Sequence, residues 1–362
     1  MELVNNKRCI KCTEVKDISE FRQGNICIPC IRINAFLCRS TFDGFFYTLF
    51  VLAKGSSEQR LKNKRYEAGV FNITLEYLKD LWNKQEGKCF YSGIQMQTKP
   101  SSDWKCSIER LDPNKGYIKE NIVLACHELN NSTQWSIDKI KKLIELVRVE
   151  QNTDLIIEEI KEGIKKKPKR NPKKLEQKTI DNVEYYKCKF CDEYFSREEF
   201  VKEISKGCKK CRSINRKDYA TSLRGKLKKI VNSAFSHTKR RQYSEKSINR
   251  IDNICTITFD DIFEILIKQG GLCAYSGIKM NYGSYLEENW TISLERINPL
   301  KGYTKENVCL ICYEFNGIDH SADAKYSNGG SGSWNKEKFQ FFLNLIKDKY
   351  KNETIIKLKI KV

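Results

Sequence analysis

No stretch of this 362-residue chain is apolar for long enough to cross a bilayer, and no charged-then-apolar leader opens it. Insertion in a membrane and secretion are therefore not expected, and the sequence predicts a soluble, intracellular protein. Histidine is nearly missing, with His127, His237 and His320 the whole supply. Negative charge is the minority: 46 Asp and Glu stand against 66 Lys and Arg, for a formal net charge of +20. A surplus of that size favours a polyanionic partner, in a soluble chain most often nucleic acid, over a merely basic surface.

What is abundant is cysteine, 16 residues in all. Without a secretory leader, their spacing argues for thiolates that hold metal in a reducing compartment rather than for disulfides. Two pairs of C-x-x-C knuckles stand out. Cys9, Cys12, Cys27 and Cys30 form the first, and Cys188, Cys191, Cys208 and Cys211 the second, with 14 and 16 residues between the knuckles. Facing knuckles present four soft sulfurs tetrahedrally, the arrangement zinc accepts, and the metal contributes folding energy that a mini-domain lacks in its core. Two structural zinc ions are expected. No thioredoxin-like strand and helix pattern surrounds either pair, which counts against a redox role.

The chain is also duplicated. Residues 107–130, SIERLDPNKGYIKENIVLACHELN, return without a gap as 293–316, SLERINPLKGYTKENVCLICYEFN, with more than half of the positions identical. Each copy follows a helical pattern: Leu75, Leu78, Leu81 and Trp82 before Gly87 in the first, and Phe259, Ile262, Phe263 and Leu266 before Gly270 and Gly271 in the second. Those stripes are read as core. The predicted order is a ribbon over 1–40, a module over 41–160, a linker over 161–179, a second ribbon over 180–214 and a second module over 215–362. The linker is basic, carries two prolines and is almost free of apolar residues. Its KKKPKR, 165–170, fits a nuclear import signal and equally a segment lying along phosphates.

Within the repeated motif, Ser107 to Asp112 alternates like a short strand, PNKG is turn material, NIVLAC reads as a second strand, and a helix is expected after Cys126. Such a unit would bring Glu109 and Asn130 to one point, and likewise Glu295 and Asn316. A carboxylate with an amide oxygen is a hard-oxygen pair of the sort Mg2+ accepts, the rest being water and substrate phosphate. Arg110 and Arg296 add a permanent cation matched to phosphate. Hydrolysis of phosphodiesters is the chemistry that suits this set.

Both repeats resemble HNH nucleases, the ββα-metal family, in the subgroup with an N-terminal zinc ribbon. The resemblance implies an α+β fold of two tandem units, each a four-cysteine ribbon, helices and a ββα-metal module. It implies Glu109 or Glu295 in the acidic place, Asn121 or Asn307 pinning the loop, and Asn130 or Asn316 as second magnesium ligand. One departure is plain: where the family has its histidine base, this chain has Arg110 and Arg296, which cannot take a proton near neutral pH. The arrangement looks like the variant site of a rare-cutting restriction endonuclease in which Arg and Tyr both engage the scissile phosphate. On that likeness Arg110 and Arg296 would clamp phosphate. Tyr117 and Tyr303 would orient the attacking water; the alternative is that they only pack the turn.

Two units in one chain would let a monomer act as a pseudo-dimer on double-stranded DNA, cutting one strand with each. The rival expectation is a nucleic-acid-binding protein whose modules have lost turnover. Cys89 with Cys126, and Cys273 with Cys312, recur but lack knuckle partners and are read as buried thiols; Cys38, Cys106, Cys255 and Cys309 are read as filler. His127 becomes Tyr313 in the second copy, and His320 sits in an insertion, 317–333, so neither is assigned a role.

Overall fold

The computed structural model describes residues 6–22, 24–100, 102–130, 135–165, 176–201, 203–242, 252, 254–283, 288–317 and 334–359. Helices and small sheets alternate in both repeats in a similar order, with one more ribbon strand in the second. In the first, the hairpin of β1 (Asn6–Arg8) and β2 (Val15–Asp17) leads to α1 (Ile28–Ser40). Pro29 lies in the first turn of α1, where a missing N–H removes no helical hydrogen bond. The long α2 (Phe42–Lys62) starts at Thr41, whose Oγ1 accepts from the Gly44 N–H at 3.1 Å. Short β3 (Phe71–Asn72) precedes α3 (Leu75–Lys84), which buries Leu78 completely.

Strand β4 (Cys106–Arg110) is followed by β5 (Tyr117–Ile118) and β6 (Ile122–Cys126). β4 and β6 pair antiparallel, with Glu109 opposite Val123 and Arg110 opposite Ile122; β5 pairs parallel with β3. All five residues of β6 are buried, which accounts for its unbroken run of small and apolar side chains. Gln85, just past α3, fastens that helix to β6: its Nε2 donates to the Leu124 carbonyl and its Oε1 accepts from the Leu124 N–H, both at 2.9 Å. Helix α4 (Ile137–Arg148) closes the repeat.

After α5 (Thr153–Gly163) the second repeat begins with three antiparallel strands, β7 (Gln177–Ile180), β8 (Val183–Lys187) and β9 (Tyr194–Ser196). It continues with α6 (Lys209–Thr221), α7 (Leu223–Gln242) and α8 (Phe259–Lys268). The antiparallel pair β10 (Ile292–Arg296) and β11 (Val308–Cys312) and the helix α9 (Lys336–Lys359) complete the order. Gln269 repeats the role of Gln85, with bonds of 2.8 and 2.9 Å to Leu310. Of the 161–179 linker, 166–175 lie outside the described residues, while its ends belong to α5 and β7.

Two expectations are corrected. The helix predicted directly after Cys126 is a single 3-10 turn, His127–Leu129, and the α-helix begins only at Ile137. Asn130 ends the turn with φ −109° and ψ 71° because its side chain bonds back to β4 instead of projecting from a helix. The same turn recurs as Tyr313–Phe315.

The linear division into modules also does not match the compact units. One unit comprises 1–148 together with 317–362, and the other 149–316. Thus α9, expected in the module 215–362, belongs with the first repeat, and α5 with the second. The reason is packing within the first unit: Trp334 meets Trp104 and Trp135 at 5.6 and 6.3 Å between ring centroids, and Phe342 meets Trp135 at 5.8 Å. Lys338 on α9 lies 2.6 Å from Glu128, both nearly out of solvent, and Tyr350 donates to the Tyr91 carbonyl at 2.7 Å. A buried charge stripped of its partner costs about 3–5 kcal/mol, which fixes the register of α9 as well as its attachment.

Candidate metal centres and active-site cavity

The two cysteine groups converge as the spacing requires. In each, the four Sγ atoms lie within 4.8 Å of one another, so two sites could each hold a zinc ion. The first knuckle of each set sits in a hairpin turn, between β1 and β2 or between β8 and β9, and the second spans the start of α1 or α6. Helix N-termini and turns supply N–H groups that favour thiolate: Cys27 N–H reaches Cys9 Sγ at 3.4 Å, and Cys208 N–H reaches Cys188 Sγ at 3.3 Å. Burial opposes the charge on Cys9, but the backbone bonds from Cys27, Cys12 and Lys11 outweigh it and bring the thiol down to about 6. Those sulfurs are poised as metal ligands.

The repeated motif builds a loop with strict internal bonding. Asn121 Oδ1 accepts from the Asp112 N–H at 2.8 Å, and its Nδ2 donates to the Asp112 and Gly116 carbonyls at 3.0 Å. Asn307 repeats all three bonds with Asn298 and Gly302 at 2.8–3.1 Å. Arg110 joins in: its Nη1 donates to the carbonyls of Pro113 and Lys115 at 2.8 and 2.7 Å, as Arg296 does to Pro299 and Lys301 at 2.7 and 3.1 Å. The loop must carry glycine before tyrosine, because a Cβ at Gly116 would collide with the Val70 carbonyl oxygen and one at Gly302 with that of Ile254. That close approach is what lets the Tyr117 N–H donate to Val70 at 2.9 Å, and Tyr303 to Ile254 at 2.9 Å.

In the first unit these elements enclose a cavity of about 490 Å³ lined by Arg60, Glu109, Arg110, Tyr117, Asn130 and Trp135. Four of the five site residues read from the first copy thus face one space, while Asn121 is buried behind it in the loop. Asn130 is anchored through nitrogen, its Nδ2 donating to Ser107 Oγ at 3.0 Å and to the Ile108 carbonyl at 2.8 Å; Asn316 does the same to Ser293 and Leu294 at 2.8 and 2.9 Å. The amide oxygen of Asn130 has no donor among the described residues, so it is available to a cation. Burial pushes the Glu109 carboxyl up to about 7; Arg110 works against this and Cys89 adds to it. A half-buried carboxylate and a donor-free amide oxygen on one cavity are a chemically fitting pair for Mg2+.

The second unit differs in exposure. Glu295 is fully buried and its Oε1 accepts from the Arg296 N–H at 2.7 Å; Arg296 is 3 % exposed. Its guanidinium lies 5.3 Å from the Tyr303 ring centroid, against 5.6 Å for Arg110 and Tyr117. Tyr117 itself is buried and packs edge-on against Phe71, 6.2 Å between centroids.

Cys89, Cys126, Cys273 and Cys312 are buried as expected, with the Cys126 and Cys312 N–H groups on the Cys89 and Cys273 sulfurs at 3.3 Å. Cys106 is buried too, but Cys38 is exposed on α1 and fills nothing. His320 lies outside the described residues. Arg60 escaped the sequence reading, which treated the helical arms as divergent. Aligning them through Gly44 and Gly225, each following a Thr or Ser cap, would have set Arg60 against Arg241. No family model matches the chain, and no curated protein or solved structure shows significant similarity to it.

Proposed function

We propose that the protein is a Mg2+-dependent endonuclease of the HNH, ββα-metal kind, acting on double-stranded DNA with one site per repeat. The observation that carries this is the shared cavity of Glu109, Arg110, Tyr117 and Asn130, open beside a loop that Asn121 and Gly116 hold rigid. Glu109 and Asn130 would hold the metal, which when bound neutralises phosphate charge and activates water. Arg110 fixes the loop with one edge of its guanidinium and keeps a permanent positive charge beside the cavity. Tyr117, whose hydroxyl has no hydrogen-bond partner among the described residues, would orient a water. The net charge of +20 supports a DNA partner held through its phosphates. A single chain acting as a pseudo-dimer accounts for the duplication, and the basic 165–170 segment would serve phosphate contact or nuclear import.

One observation favours a second reading, a nucleic-acid-binding protein without turnover: the loop occupies Nη1 of both Arg110 and Arg296, and Glu295 is closed off. Incubating the full chain with mixed-sequence DNA, with and without Mg2+, and sequencing the ends separates the two. Metal-dependent ends that vanish in Glu109→Gln are expected. Tight binding without ends at any divalent metal would leave the binding protein.

A further inference from the structure

The cavity holds more positive charge than its loop uses. The geometry points to Arg60, at the C-terminal end of α2, as the side chain that grips the scissile phosphate, with Arg241 its counterpart by sequence in the other repeat. This rests on the nuclease reading and assigns within it the phosphate contact that Arg110 was expected to make.

Three observations carry the assignment. Arg110 has Nη1 on two loop carbonyls at 2.8 and 2.7 Å, so it works as a staple of the Pro113–Lys115 turn. Arg60 has no such employment: its Nη1 is buried and has no hydrogen-bond partner among the described residues. Its guanidinium carbon lies 5.3 Å from the Tyr117 ring centroid, while that of Arg110 lies 5.6 Å from the same ring. A flat aromatic ring therefore braces two guanidinium groups on one cavity.

Against these cations the cavity lining offers one carboxylate, Glu109. Like charges gathered in a half-closed space favour an anion that joins them. An anion that suits this cavity is compact, doubly accepting and compatible with a hard cation on Glu109 and Asn130. A phosphodiester group meets all three conditions, and the guanidinium fork matches its oxygens. The rigid helix carrying Arg60 suits a group that must be in place before charge builds in the transition state.

The test uses the full chain with its zinc retained. Binding of a labelled 20-base-pair duplex is measured over a series of salt concentrations without Mg2+, and single-turnover cleavage is measured with it. Arg60→Ala should reduce the slope of log K against log salt by about one and slow cleavage by about 10²-fold or more. Arg60→Lys should restore the slope but not the rate, since an ammonium keeps the charge and loses the fork. Loss of Tyr117 packing alone would leave the slope unmoved. Arg60→Ala with the parental slope overturns the assignment, as does parental cleavage by both variants while Glu109→Gln is dead; that last pattern leaves the nuclease reading standing. If the parent cuts nothing, the nuclease reading falls, and the slope alone decides whether Arg60 meets phosphate.

Discussion

Replacing Glu109 by glutamine should stabilise the protein while abolishing the cleavage proposed for it. Burial raises the Glu109 carboxyl from an ordinary 4.5 to about 7, so the folded chain binds this proton more tightly than the unfolded chain does. The stability tied to that proton is present below 4.5 and is lost as pH rises through 7. A shift of that size corresponds to about 3 kcal/mol, and the partial exposure of the carboxylate reduces it to about 2 kcal/mol. Glutamine keeps the shape and has no charge to bury. Urea denaturation with zinc retained and Mg2+ omitted should give coincident midpoints for parent and variant near pH 4.5. The gap should open through pH 7 and reach about 1 M above pH 8, taking a slope of about 2 kcal/mol per molar urea. Adding Mg2+ should then close the gap from the parent's side only, because the variant has lost the ligand. Equal midpoints at pH 8.5, or a gap between parent and variant that does not change with pH, would refute a buried, proton-binding carboxylate at this position.

Metal analysis of the dialysed protein should find two zinc ions per chain, falling to one in Cys9→Ser; an unchanged content would remove the first ribbon as a zinc site. Gly116→Ala should cost more than about 2 kcal/mol, read from thermal melting, because the added methyl meets the Val70 carbonyl and pushes β5 off β3. Near-parental melting would mean that the loop can move aside. Asn130→Ala should turn a double-strand cutter into a nicking enzyme on a supercoiled plasmid, and Asn316→Ala should nick the other strand; linear product from either single variant would show that one unit cuts nothing.

How much of this was legible in the sequence depended on how local each feature is. A C-x-x-C knuckle positions two sulfurs by its own turn, so only the meeting of two knuckles was left to folding, and the eight cysteines converge as their spacing implied. The turn and strands of the repeated motif were equally local, and Asn121 makes three hydrogen bonds within that turn. The helix after Cys126 failed because a helical pattern says nothing of Asn130 turning back onto Ser107 and Ile108. Two larger features depend on contacts far apart in the chain. Arg60 reaches the cavity from a helix fifty residues before Arg110, and α9 finds its core among Trp104, Trp135 and Tyr91 rather than beside the strands that precede it. Amphipathic periodicity tells which face of a helix is buried, never against which partner.

The repeats also divide their shared residues by task. Gly116, Asn121 and the Nη1 edge of Arg110 are accounted for by one rigid loop, and so are Gly302, Asn307 and Arg296; a protein that only bound DNA would need them just as much. Gln85 and Gln269 are likewise spent on fastening a helix to a strand. What remains is a carboxylate held half out of water and, among the described residues, an amide oxygen without a donor, a phenol hydroxyl without a hydrogen-bond partner and a guanidinium with an idle buried edge. A phosphodiester and a hard cation would answer all four together, whereas a loop that merely packs would answer none.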